Sequence, residues 1–285
     1  MKNLTDLWKF IELHGKWRSR LAVIFCILAV ICFGVVFFVI YDMRRSYAIS
    51  EGKVDELRRL SELAEPVGEG ADQTLPQTVV SHEEKTEVKT ENPYAEVFSM
   101  NDDMVAWLLI EGTKIDYPVM QTPEDENYYL HRDFYGNEDQ AGCLILDTDS
   151  SLQGEITTNQ IIHGHNMRAG TMFGELDLYQ DEEYCKNHSR IRLFTRETER
   201  NYEVISVFYS QVYLTTDLVF KYYNFFQADT EEEFQYFYDN IKTLSLFDTG
   251  VEAEFGDRFL TLSTCSYQVE EGRFVVVAKE VEPGA

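Results

Sequence analysis

Positive charge is scarce in this chain: 25 Lys and Arg stand against 50 Asp and Glu, a formal net charge of -25. A surface of that sign repels phosphate backbones, which argues strongly against a nucleic-acid partner. No glycine-rich phosphate loop leads into a helix, so nucleotide chemistry has no support, and no internal repeat is visible. Cysteine is sparse and odd in number, five in 285 residues. Cys26 and Cys32 fall in an apolar run, while Cys143, Cys185 and Cys265 form neither a zinc-site spacing nor a disulfide framework. Cys143 and Cys185 read as ordinary core or half-buried thiols.

What is present begins with that apolar run. Residues 21–41 carry no charge, and at about 1.5 Å per residue such a helix crosses a hydrocarbon core about 30 Å thick. A signal peptide would be shorter and end in a small-residue cleavage site, neither of which is evident, so an uncleaved anchor is expected. Lys2, Lys9, Lys16, Arg18 and Arg20 precede the run, which places residues 1–20 in the cytoplasm and everything beyond Tyr41 outside. Residues 42–65 have helical composition, with Val54, Leu57, Leu60 and Leu63 at three-residue steps. Residues 66–92 shift to Gly, Pro, Thr, Gln and Glu, an acidic spacer composition, and the globular domain is expected over residues 93–285.

With 44% hydrophobic residues, the chain can bury one sizeable core. A short helix is predicted over 94–104 and strands over 105–110, 114–121, 141–147, 159–163, 190–195 and 202–212, where β-branched and aromatic residues gather. Frequent short strands separated by turn signals predict a closed or nearly closed β-barrel. One interruption stands out: in 216–247, Phe234, Phe237, Tyr238 and Ile241 fall at helical spacing, so a substantial inserted helix with a core-packing aromatic stripe is expected.

The chemistry gathers after that insertion. Residues 258–265 alternate, with Leu260 and Leu262 on one face and Phe259, Thr261, Ser263 and Cys265 on the other, as in a strand. Residues 274–278 are a short apolar run and 266–272 a polar, glycine-ended connection, so a hairpin should bring Cys265 and Arg273 side by side. A guanidinium beside a thiol favours the thiolate and can later hold a developing oxyanion. Upstream, Ile161-Ile162-His163-Gly164-His165-Asn166-Met167 leaves a strand and is followed by Gly170-Thr171-Met172-Phe173. His163 and His165 lack a third ligand at a recognisable spacing, so no metal is expected. His14, His82, His131 and His188 read as exposed or structural.

Gly164-His165-Asn166-Met167, Gly170-Thr171-Met172-Phe173, Thr261-Leu262-Ser263-Thr264-Cys265 and Arg273, in that order, together resemble a class B sortase, a cysteine transpeptidase of Gram-positive cell surfaces. The likeness covers residues 94–279, and the class rests on the helical insertion before the cysteine strand and on the N-terminal anchor. It implies a mainly β fold, an antiparallel eight-stranded sortase barrel with inserted and N-terminal helices behind one transmembrane helix. It also implies catalysis by His165, Cys265 and Arg273, with Ser263, Thr264, Leu130 and Tyr222 seating the peptide. His163 is a departure, since similar proteins commonly carry an aromatic or small residue there.

The implied reaction cleaves the C-terminal sorting signal of a secreted protein after its Thr through a Cys265 thioester. The acyl group then passes to a peptide amine of the cell wall or its peptidoglycan precursor, with no metal or organic cofactor. A pilin-polymerising sortase and a cysteine endopeptidase that releases the acyl group to water would use the same residues. A silent peptide-binding barrel would be marked by loss of Cys, His or Arg, and all three are present.

Overall fold

A computed structural model of the chain describes residues 3–64 and 92–282. Two compact units emerge, Met1–Ile49 and Ser50–Ala285. The first consists of the start of helix α1, which runs Asn3–Ala64, so the basic leader read as a tail is helical from Asn3. Within α1 the segment Ile27–Glu62 contains a window of mean hydropathy 2.2, long and apolar enough to cross a membrane. Apart from Asn92, the acidic spacer 66–92 lies outside the described residues.

The second unit is a closed barrel. After α2 (Ala95–Met100) come β1 (Met104–Leu109), β2 (Asp116–Met120), β3 (Leu144–Leu146), β4 (Asn159–Gly164), α3 (Glu182–Asn187), β5 (Arg190–Phe194), β6 (Glu199–Gln211), α4 (Glu231–Leu244), β7 (Phe259–Ser266) and β8 (Gly272–Val281). The strands close in the order β1-β2-β3-β4-β7-β8-β6-β5. The expectation of an antiparallel barrel is corrected here. β2 pairs with β3 and β4 with β7 in parallel, so the barrel is mixed. Parallel neighbours need a long crossover: a loop with the 3-10 turn Tyr128–His131 separates β2 from β3, and β5, β6 and α4 intervene between β4 and β7.

The alternation of β7 sorts its side chains between two cores. Leu260 and Leu262 enter the barrel interior with Ile162, Phe274 and Val276. Phe259 faces outward, where α4 covers it with Phe234, Phe237 and Ile241. A capping box starts α4, Thr230 accepting from the Glu233 amide while the Glu233 carboxylate accepts from the Thr230 amide. Each fully buried ring contributes about 1.5–3 kcal/mol through burial. β7 and β8 are therefore clamped on both faces except at the end that carries Cys265.

A third cluster sits on the outer face of β1 and includes α1. Leu57 is fully buried there with Trp107, Phe98 and Tyr129. Lys53 Nζ lies 2.6 Å from Asp133, and Arg58 Nε lies 3.0 Å from Asp116, whose other carboxylate oxygen accepts from Trp107 Nε1. Burial works to raise the Asp133 carboxyl, but Lys53 and the amides of Asn137 outweigh it and hold it below its ordinary value. Composition changes at Pro93, yet the compact unit starts at Ser50 because α1 supplies apolar cover and a cation to a buried carboxylate. A chain beginning at Glu91 should therefore melt below one beginning at Ser46. Uncovering the Leu57 site alone costs about 1.5–3 kcal/mol, roughly 3–12 °C in Tm at this size. Calorimetry of the two chains checks this, and equal Tm values would remove α1 from the folded unit.

Candidate active site

The β7/β8 hairpin sets the first two members of the site. Cys265 and Arg273 are direct cross-strand partners, followed by Ser266 and Gly272 at the hairpin end. Cys265 is exposed, whereas Cys143 and Cys185 are buried. Burial drives both of those thiols upward, Cys185 to about 12 and Cys143 further. Arg273 Nη1 donates to the carbonyls of Glu271 and Gly272 at 3.3 and 3.0 Å, and Nη2 lies 3.8 Å from the Glu271 carboxylate. These ties are to its own hairpin, and a guanidinium has five N–H donors to share.

The parallel pairing of β4 with β7 delivers the histidine. Gly164 lies opposite Thr264, so the next residue, His165, leaves β4 at the level of Cys265. Gly164 is needed for close approach: a Cβ there would stand 2.5 Å from Leu144 and 2.7 Å from Phe173. The two glycine motifs of the sequence prove to be one structural unit, since Asn166 bridges Met172 and the Phe173 amide donates to the His165 carbonyl at 3.0 Å.

His165 Nε2 lies 2.9 Å from the Leu130 carbonyl. A carbonyl can only accept, so in the neutral ring Nε2 carries the proton and Nδ1 holds the lone pair. Burial lowers the His165 pKa, the Leu130 bond works against that, and the neighbouring His131 adds to it. The His131 and His165 rings are stacked at a tilt, centroids 5.1 Å apart. The uncharged imidazole is thereby favoured at neutral pH.

All seven residues singled out from the sequence line one cleft of about 320 Å³: Leu130, His165, Tyr222, Ser263, Thr264, Cys265 and Arg273. Several of their polar groups are bonded within the protein. Tyr222 and Ser263 bond each other through their hydroxyls at 2.7 Å, and the Thr264 hydroxyl donates to the Gly164 carbonyl at 2.7 Å. These three build the cleft floor through internal bonds, and Leu130 serves His165 through its backbone. Sequence reasoning missed Asn166, whose amide donates at 2.8 Å to both the Cys265 carbonyl and the Asp177 carboxylate. Its place beside His165 in the motif was the available signal; Asp177 and His131 had none.

A closed barrel that opens a cysteine, an imidazole and a guanidinium onto one cleft has the make-up of a cysteine transpeptidase. The family model described as the sortase domain matches residues 108–281. Sortase B of Listeria monocytogenes is 33% identical over 184 residues, 64% of this chain and 71% of that protein. Sortase B of Staphylococcus aureus is 28% identical over 188 residues, 64% of this chain and 72% of that protein. The solved structure of Bacillus anthracis sortase B superposes with a TM-score of 0.65 at 27% identity, covering 84% of this chain and 99% of the other. The chain belongs to the sortase family, in class B.

Proposed function

We propose that this transpeptidase anchors proteins at the outer face of the membrane. On this reading Cys265 is the nucleophile, His165 the proton carrier and Arg273 the oxyanion holder. The observation that carries the reading is the cross-strand register of Cys265 with Arg273, on the wall of the cleft that His165 also lines. Cys265 Sγ bonds to the carbonyl carbon of the Thr of a sorting signal. The thiol proton passes to the lone pair of neutral His165, and the charge on the carbonyl oxygen falls to Arg273 and backbone amides. Collapse breaks the C–N bond, and His165 returns the proton to the departing amine. A wall-peptide amine then attacks the thioester carbon and gives its proton to His165; the C–S bond breaks, and His165 passes that proton to the sulfur, restoring the thiol. Tyr222, Ser263 and Thr264 shape the peptide seat, and Leu130 holds the catalytic ring.

The apolar span in α1 and the basic residues before it support a single-pass anchor with residues 1–20 in the cytoplasm. The spacer 66–92 and the catalytic domain then lie outside, where sorting signals and wall peptides meet.

The reading is tested by mass spectrometry on a small panel of sorting-signal peptides, with and without amine acceptors. Cleavage after Thr with the acceptor joined to the new carboxyl end is expected. Release of the acyl group to water alone, whatever amine is present, would instead make the protein an endopeptidase.

A further inference from the structure

The wall of the cleft carries a group of side chains that the acyl transfer does not use. His163, the departure from the family pattern, lies on β4 opposite Ile145 of β3. Asp147 follows two residues later on the β3 side, a diagonal neighbour on the same sheet face. His163 Nε2 and Asp147 Oδ2 are 3.2 Å apart. Glu126, from the loop between β2 and β3, completes a trio whose donor atoms all lie within 4.8 Å of one another. No third ligand shows near the two histidines in the sequence because the partners come from distant segments, a loop and the end of β3, and His165 turns instead to Leu130.

Charge and geometry both point to a cation. Two carboxylates converge on one imidazole, and among the described residues no Lys or Arg pairs with either of them. Asp147 is fixed: its Oδ1 accepts from the Asp149 amide at 3.0 Å, its amide donates to Ile161, and its carbonyl accepts from Gln121 at 2.9 Å. Oδ2 is thus held toward His163. Glu126 Oε2 accepts from the Thr148 hydroxyl at 3.1 Å and sits on a loop that lines the cleft. Zn²⁺ holds nitrogen and oxygen donors at about 2.0–2.2 Å, so a tetrahedral set spaces its donors about 3.3 Å apart. The His163 and Asp147 atoms already stand at that spacing, and Glu126 needs only a small movement. All three residues line the cleft, which leaves a fourth position open to it.

We infer that Glu126, Asp147 and His163 form a binding site for a first-row divalent cation of the zinc type, set in the wall of the cleft that holds Cys265. One imidazole and two carboxylates suit Zn²⁺ over Ca²⁺ or Mg²⁺, which want more oxygen ligands or several retained waters. The bound ion neutralises the paired carboxylates and offers a Lewis-acidic position to whatever enters the cleft.

The test uses the untagged full chain in detergent with Cys265→Ala, so that the thiol of the cleft cannot act as a ligand. Calorimetric titration with zinc chloride should show one saturable equivalent. His163→Ala and Asp147→Asn should each weaken it at least about tenfold, and a zinc-edge absorption spectrum should show a single imidazole in an oxygen-rich shell. If His163→Ala fails to fold, His163→Gln keeps the ring volume approximately and serves in its place. No saturable equivalent, or one that survives both substitutions unchanged, would overturn the site and leave His163 and Asp147 as a hydrogen-bonded pair.

Discussion

Cys265→Ala is expected to leave a folded domain that forms no thioester with a sorting-signal peptide, the largest loss any single substitution here should produce. The fold should survive because Cys265 is exposed, and the strand around it is held by backbone. Its carbonyl accepts from Asn166, and its register with Arg273 is one step in the eight-residue pairing of β7 with β8. Exposed substitutions of this kind change stability by about 0.5 kcal/mol or less. Neither remaining thiol of the domain can substitute. Burial pushes the Cys185 thiol up to about 12 and the Cys143 thiol further, so neither offers a useful thiolate at pH 7. In a chain beginning at Ser46, which lacks Cys26 and Cys32, a water-soluble alkylator should modify Cys265 well before the other two. Intact mass measurements with substrate peptide read both results. An acyl group carried by Cys143 or Cys185 would move the active site elsewhere.

The second large effect belongs to Arg273. Lysine keeps the charge and replaces a planar fork of donors with a mobile point charge, so Arg273→Lys separates oxyanion geometry from simple electrostatics. Losing one oxyanion donor lowers turnover by about 10²- to 10³-fold, roughly 3–4 kcal/mol of transition-state stabilisation. Stability should change by less than about 1 kcal/mol, because the contacts the guanidinium makes are two carbonyls of its own hairpin and a 3.8 Å approach to Glu271. Turnover, substrate affinity and Tm measured on one variant decide the matter. Near-normal turnover would take Arg273 out of the catalytic set, and a collapsed Tm would make it part of the scaffold.

The sequence by itself determined whatever depends on neighbours along the chain. Alternation in residues 258–265 set the two faces of β7, helical spacing of Phe234, Phe237 and Ile241 announced α4, and the short polar connection required the hairpin that aligns Cys265 with Arg273. His165 was singled out by the resemblance of Gly164-His165-Asn166-Met167 to a sortase motif; that a Cβ at Gly164 would collide with Leu144 and Phe173 is visible only in the structure. Only the tertiary structure decided who sits beside whom across long separations. The parallel pairing of β4 with β7, the Leu130 carbonyl on His165, the ring of His131 and the amide of Asn166 against Cys265 join segments with no local pattern in common. The docking of Leu57 and Lys53 onto the barrel and the meeting of Glu126 with Asp147 and His163 belong to the same kind. Periodicity reports which face of an element is apolar, and therefore that it will be covered. It carries no record of which element does the covering, since that is settled by barrel closure and by the pairing of every buried polar group at once.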